Sequence, residues 1–581
     1  MTSTNTKFRT CPLCEAMCGL EITLEGQQVT TIKGDKKDPF SRGHICPKAV
    51  ALKDIHEDPN RLKYPVRKTE EGWKQISWEE AFDEVVSKFQ AIQAKYGDNA
   101  VATYNGNPTV HNYGSMLFSP NFIRALKTKN RFSATSVDQL PHHLAGMTMF
   151  GHPMMMPVPD IDHTDFWLIM GANPIASNGS IMTAPDVANR LKAIQERGGK
   201  IVVIDPRYTE TASKADQHIF IKPATDVWLL LGLIRGVLVR DWVDLKHLKN
   251  SIDAAEIEQL KLLVSPFHIG MVAQRTGIEE ETIRQLMKEF AEAPSAVCYG
   301  RMGVSTVKFG GLSQWLINVL NILTGNFDTK GGAMFASPAF EVIRPNQKAE
   351  MKFDRWKSRV RGLPEHLGEM PSATLAEEIL TEGEGQIRGM FTCCGNPVLS
   401  TPNGTQLDKA FRQLDFMVSM DIYINETTRH ADIILPPATG LEVGHYDVTF
   451  HYLAVRNTAK FSQPVLEKAE GTKYDWEIFS ELTKRLLGMS ASQKMPLLTP
   501  EMIIGAGLKS GPYDLTLQDL KDNPHGVDLG SLQSGLPNRL LTENKKIKLI
   551  PDIFAKDLER LLQQMPVRMI NVNCCLLDGD I

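Results

Sequence analysis

The pattern of apolar and polar positions divides the chain into a short β-rich start and a long stretch of alternating strands and helices. Leu20, Ile22 and Leu24 alternate with polar neighbours, Glu25-Gly26 supplies a turn, and Val29 to Ile32 runs back, which predicts a hairpin. Residues 1–65 therefore read as a small β-rich unit. At Ser77 the period changes. Ser77 and Glu80 have capping-box spacing, Ala81, Val85, Phe89 and Ile92 recur at helical intervals, and Gly97 is a stop signal.

From about residue 165 the order becomes strand, turn, helix, strand. Phe166 to Met170 is a short buried-strand run ending in Gly171-Ala172-Asn173-Pro174. A helical stretch follows with Val187, Leu191 and Ile194 on one face, then the strand Lys200 to Ile204, the turn Asp205-Pro206-Arg207, and an apolar helix starting near Asp226. The same order returns later. Ile387 to Cys393 leads into Gly395-Asn396-Pro397, a helix around Leu407 to Phe411 follows, and the strand Phe416 to Met420 ends at Asp421. Both βαβ passages put polar turns at the carboxyl ends of strands, where open parallel sheets bind ligands. The pattern predicts an α/β protein with two related nucleotide-binding halves. Asn, Pro and Asp are also ordinary turn residues, so either half alone is weak evidence.

Size changes the picture in one respect: 581 residues exceed what one hydrophobic core holds, and three or four domains are expected. The formal net charge of -4 offers no electrostatic case for nucleic acid or an anionic membrane. The longest apolar stretch, Val227 to Val239, is too short to span a bilayer and contains Arg235. MTSTNTKFRT has neither an apolar core nor a twin arginine, so a cytoplasmic setting is expected.

Four of the nine cysteines, Cys11, Cys14, Cys18 and Cys46, lie near the start with spacing C-x2-C-x3-C-x27-C. An odd total argues against a disulfide framework. Soft thiolates suit iron–sulfur or zinc, but zinc sites usually take two close pairs, and here the fourth cysteine stands alone. The spacing favours an iron–sulfur cluster, with structural zinc as the competitor.

The strings CPLCEAMCGLEI and GHICPKA resemble the N-terminal cluster domain of the large molybdopterin oxidoreductases, which include formate dehydrogenases, nitrate reductases and dimethyl sulfoxide reductase. The likeness runs from about residue 8 to residue 550. It implies a [4Fe-4S] cluster on the four cysteines and molybdenum or tungsten held by two molybdopterin guanine dinucleotides. It also implies an iron–sulfur domain over 1–65, pterin-dinucleotide domains over 66–135 with 331–480 and over 136–330, and a linker with an incomplete C-terminal β domain over 481–581. By the same resemblance Lys48 relays electrons between cluster and pterin. GANPIASN and KIVVIDPRYTETASKADQHIFIKPATDVWLL implicate Asn173, Asp205, Arg207 and Asp226 in one dinucleotide site. CCGNPVLS and MDIYINETTRHADIILPP implicate Gly395, Asn396, Asp421, Thr427 and Asp432 in the other. A carboxylate can accept both guanine N–H donors, which gives the aspartates a chemical reason to be there.

One segment departs from the formate dehydrogenase pattern. There a cysteine or selenocysteine three residues before a proline binds the metal. In RFSATSVDQLPHHLAG, alignment on Pro141 puts Asp138 at that position and Gln139 where the formate enzymes carry histidine. Asp138 is the expected metal ligand, with Ser136 the alternative. Oxygen ligation leans towards oxygen-atom transfer. His142 and His143 are candidates for proton handling. NKKIKLIPDIF resembles the first strand of the family's last β-barrel, and the final residues, MINVNCCLLDGDI, match nothing expected there. The expected partners are a small-molecule substrate and an electron-transfer protein or subunit. The rival readings are a non-redox hydratase of the same family, a metal-free electron-transfer subunit, and an inactive short form.

Overall fold

Three antiparallel strands, Thr4–Thr10, Gly19–Glu25 and Gln28–Gly34, open the fold in that order. The computed structural model describes residues 4–343, 347, 350–489 and 498–564. The predicted hairpin is the second and third of these strands. Leu20, Ile22 and Leu24 are all buried, and Gly26 turns the chain at a φ of 62°. Alternation thus sets which side of the sheet meets the core.

Further along, Gln217–Ile219, Lys200–Ile204, Phe166–Met170 and Ala296–Gly300 form a four-stranded parallel sheet in that order. Every residue of Phe166–Met170 and Ala296–Gly300 is buried, which is why these strands read as unbroken apolar runs. Helix Val187–Glu196 turns Val187, Leu191 and Ile194 inward. The apolar run after Asp226 is the helix Asp226–Val239, packed against helix Gly310–Leu323. Among the described residues no helix is long and apolar enough to cross a membrane.

A second sheet has seven strands, ordered Gly72–Gln75, Val66–Thr69, Ile433–Ile434, Phe416–Met420, Gly389–Cys393, Val101–Asn105 and Arg131–Ser133. The last five are mutually parallel and the first two antiparallel. The four-stranded sheet is therefore inserted, in sequence, between two parts of the seven-stranded one. Helix Trp78–Tyr96 packs on it with Ala81, Val85, Phe89 and Ile92 buried. Ser77 caps this helix by accepting from Glu80 N at 3.1 Å. The expected reciprocal bond is replaced by an ion pair from Glu80 to Arg67 at 2.9 Å.

One expectation is corrected near the end of the chain. The segment NKKIKLI forms no strand; Asp552–Leu562 after it is a helix. Its backbone finds other partners: Ile547 N donates to Ser251 O, Lys548 N to Met149 O, and the Leu549 carbonyl accepts from the Trp315 indole at 2.8 Å. Phe554 then stacks on Trp315 with ring centres 5.6 Å apart. The tail MINVNCCLLDGDI lies outside the described residues.

Candidate cofactor and active site

The two parallel sheets end in loops that repeat one another bond for bond. In the first, the Thr211 hydroxyl donates to Asn173 Oδ1 at 2.8 Å, Asn173 Nδ2 donates to Glu210 at 2.6 Å, and Ile175 N donates to Thr211 Oγ1 at 3.1 Å. In the second, the Thr427 hydroxyl donates to Asn396 Oδ1 at 2.7 Å, Asn396 Nδ2 to Glu426 at 2.8 Å, and Val398 N to Thr427 Oγ1 at 3.2 Å. Asp205 accepts from Arg207 N at 2.8 Å, as Asp421 does from Tyr423 N at 3.0 Å. Each loop also has a glycine in close backbone contact, at positions one residue apart, since Gly171 matches Cys394 and Gly395 matches Ala172. A Cβ on Gly171 would lie 2.9 Å from the backbone of Gly303, and one on Gly395 would lie 2.9 Å from Gly106, so each loop lies against its neighbour's backbone.

The aspartates of these loops are strongly desolvated. Burial pushes Asp226 and Asp421 each up to about 6. Asp226 feels the nearby charge of Asp205. Asp475, which the sequence reading missed, plays the matching part in the second half. It starts helix Asp475–Leu486 as Asp226 starts its own helix, is likewise raised to about 6 by burial, and shares a cavity of about 260 Å3 with Asp421 and Cys394. The shared Asp-x-Trp and Asp-Trp beginnings, Asp226-Val-Trp228 and Asp475-Trp476, are the signal that could have found it. Asp432 lies elsewhere. It accepts from Met417 N at 2.7 Å at the amino end of its strand, as Asp216 does from Ile201 N at 2.7 Å, and so ties the sheet together at the end away from Asn396. Arg207 is exposed and paired with Glu210 at 2.9 Å.

The four N-terminal cysteines belong to one neighbourhood. Cys11 N donates to Cys18 O at 2.8 Å, closing the loop, and each of Cys11, Cys14 and Cys18 feels the charge of Cys46. Burial pushes Cys11 up to about 12 and raises Cys14 and Cys18 as well. Desolvated thiols of this kind ionise when a cation supplies the missing charge. Among the described residues no three His, Cys, Asp or Glu side chains converge on a point where one ion could sit. Four soft thiolate donors in one neighbourhood are the donor set that a multi-iron cluster requires. Cys46 precedes the short helix Pro47–Val50, which carries Lys48 exposed to solvent. Burial raises both the Cys14 thiol and the Glu15 carboxyl, and the charge of Lys48 offsets part of that rise at each.

Glu15 lines a cavity of about 590 Å3 that also receives Asn105, Asp138, His143 and Arg301. Its walls thus come from the cysteine loop and from the carboxyl ends of both sheets. Asp138 forms an ion pair with Arg301, a buried residue whose Nε donates to Ser180 at 2.8 Å. Ser136 is turned away and accepts from Ser372 N at 2.8 Å. His142 is not in this cavity. Its Nε2 donates to Gly300 O at 3.1 Å, its Nδ1 is buried without a partner, and burial together with Arg301 holds it well below the usual histidine range. His143, also kept neutral by burial, is the histidine that faces the cavity. Sequence reasoning missed Arg301, because only the fold brings it to Asp138.

Comparison with known proteins agrees with this arrangement. The family model described as "Molybdopterin oxidoreductase" matches residues 61–485, and that described as "Molybdopterin oxidoreductase Fe4S4 domain" matches residues 6–57. The chain is 26% identical to a probable oxidoreductase, YyaE, of Bacillus subtilis over 89% of its own length and 74% of that protein's. It is 26% identical to the F420-dependent formate dehydrogenase subunit alpha of Methanocaldococcus jannaschii, covering 93% of this chain and 80% of that one. Its fold is similar to that of acetylene hydratase from Pelobacter acetylenicus, with a TM-score of 0.76 and 21% identity over 95% of this chain and 78% of the other.

Proposed function

We propose, for a chain that belongs to the molybdopterin oxidoreductase family, that it passes electrons between a small molecule and an iron–sulfur cluster. It is an oxidoreductase, and its cofactors are a molybdenum or tungsten pterin and a 4Fe–4S cluster. The observation that carries the finer reading is the bond-for-bond repeat of the two strand-end loops beside the cysteine loop. In this reading Cys11, Cys14, Cys18 and Cys46 hold the cluster. One guanine dinucleotide rests on Asn173, Asp205, Arg207 and Asp226, the other on Gly395, Asn396, Asp421 and Thr427, with Asp475 added. When bound, the pterin-held metal supplies a redox centre to the cavity.

The chain's own groups then have distinct parts. Asp138 faces the cavity whereas Ser136 is occupied, which supports Asp138 as the protein ligand. Arg301 orients Asp138 and lines the same cavity. His143 is neutral and positioned to accept a proton there. Lys48, near both Cys14 and Glu15, supports the relay between cluster and pterin. The proposed partner is an electron-transfer protein or subunit, in keeping with the "subunit alpha" in one relative's name, and the proposed setting is the cytoplasm.

A second reading, turnover without net redox, is favoured by one observation: Glu15, Asp138 and Glu369 place three carboxyls in one cavity. The two readings separate in one experiment. Added anaerobically with no other redox agent, a reducing substrate should bring up the low-temperature electron paramagnetic resonance signal of the oxidised holoenzyme's cluster, and an oxidising substrate should abolish that signal in pre-reduced holoenzyme. Full turnover with the cluster still oxidised and no acceptor present would establish the second reading instead.

A further inference from the structure

Four arginines are buried among the described residues, and three of them have acidic partners. Arg61 pairs with Glu442, Arg190 with Asp162 and Arg301 with Asp138. Arg9, the most deeply buried at 1% exposure, has no carboxylate within ion-pair distance among the described residues. Its guanidinium donates only to backbone carbonyls, through Nε to Thr10 O at 3.1 Å and through Nη1 to Gly440 O. Neutral acceptors satisfy donors but do not cancel a charge, and an uncompensated buried cation is strongly disfavoured. No carboxylate of the described residues therefore supplies, at contact distance, the anion that this residue requires.

Position identifies that anion. Arg9 lies near the end of strand Thr4–Thr10, two residues before Cys11, and the Cys11 thiol feels its charge. With Pro12 and Leu13, which follow Cys11, it borders the cavity of about 260 Å3 that also holds Asp421 and Asp475, neither of them within ion-pair distance of the guanidinium. An iron–sulfur cluster on four thiolates carries net negative charge, and each electron it accepts adds to that charge. Net charge and hydrogen bonding around a cluster set its potential.

We infer that Arg9 is the buried counter-charge of the iron–sulfur cluster and holds its reduction potential up, which makes it a positioning residue for electron transfer. The inference rests on the reading that Cys11, Cys14, Cys18 and Cys46 bind the cluster. A fixed cation beside the cluster favours the reduced form, so removing the charge while keeping a donor should make the cluster harder to reduce.

The test compares holoenzyme with Arg9→Gln and Arg9→Lys, purified anaerobically, by iron content, guanine nucleotide content and a redox titration followed by electron paramagnetic resonance. Iron content should be equal in all three. At the wild-type midpoint, Arg9→Gln should show at least a tenfold drop in the ratio of reduced to oxidised cluster, equivalent to a fall of about 59 mV for one electron. Arg9→Lys should titrate with the wild type. Should the glutamine variant not retain iron, Arg9→Met, which keeps the aliphatic stem, takes its place and must show the same fall. Equal potentials for the charged and neutral variants would overturn the inference. So would an unshifted potential accompanied by loss of guanine nucleotide, which would assign Arg9 to a cofactor phosphate. Wild-type protein without iron would instead overturn the cysteine assignment itself.

Discussion

Replacing Thr211 with Val tests whether the first strand-end loop is held as its hydrogen bonds imply. The substitution keeps the shape of a fully buried side chain and removes one oxygen. That oxygen donates to Asn173 Oδ1 at 2.8 Å and accepts from Ile175 N at 3.1 Å. Losing the first bond costs about 1 kcal/mol, and leaving a half-buried amide without its acceptor costs about 1 to 2 kcal/mol more. Asn173 keeps its bond from Thr211 N at 3.1 Å, so the loop weakens without collapsing. A local loss of about 2 to 3 kcal/mol should speed hydrogen exchange at Ile175 by about 30- to 150-fold, while the Asn396 loop exchanges at its original rate. In holoenzyme the same variant should carry one guanine nucleotide where the wild type carries two, and Thr427→Val should do likewise from the other side. Exchange at Ile175 within about threefold of wild type, with both nucleotides retained, would refute the reasoning.

The acidities of the loop aspartates give a pH dependence. Asp226 and Asp421 are raised to about 6, so the folded cofactor-free protein keeps their protons longer than the unfolded chain does. Their contribution to stability is complete below the ordinary aspartate range and is lost as pH rises through about 6; urea midpoints should show that decline, and Asp226→Asn with Asp421→Asn should flatten it. Guanine retention should run the opposite way, weakening below about pH 6 as the accepting carboxylates protonate. Cys394 holds a φ of 48° where the matching loop has Gly171 at 53°, so Cys394→Gly should raise thermal stability by about 1 kcal/mol, whereas Gly171→Ala, driven against Gly303, should lower it by more than about 1 kcal/mol. Asp138→Ala should abolish turnover and leave the cluster spectrum unchanged, measured on the same sample; undiminished turnover would move the ligand assignment away from Asp138.

Much of the fold was legible in the sequence because the central strands of the parallel sheets are buried on both faces and so appear as short, largely apolar runs, as in Phe166–Met170 and Phe416–Met420. The repeat of Asn-Pro and Asp after those strands was legible for the same reason. Contacts between distant segments were not. Arg301 reaches Asp138 only through the fold, and Asp475 joins Asp421 only after the long connection from 421 to 475 has closed. Asp432 shows the opposite failure: it belongs to a matching block, yet its carboxylate secures the start of a strand, as Asp216 does in the other half. NKKIKLI has strand-like alternation, but its backbone bonds to scattered carbonyls and to Trp315, and alternation alone makes no sheet without a neighbouring strand.

The most direct measurement is the metal content of anaerobically purified protein. The account predicts iron in the amount of one four-iron cluster per chain, molybdenum or tungsten at one per chain, and a reducible iron signal that disappears in Cys18→Ser. Zinc in place of iron at the cysteine loop, or iron without molybdenum or tungsten, would contradict it.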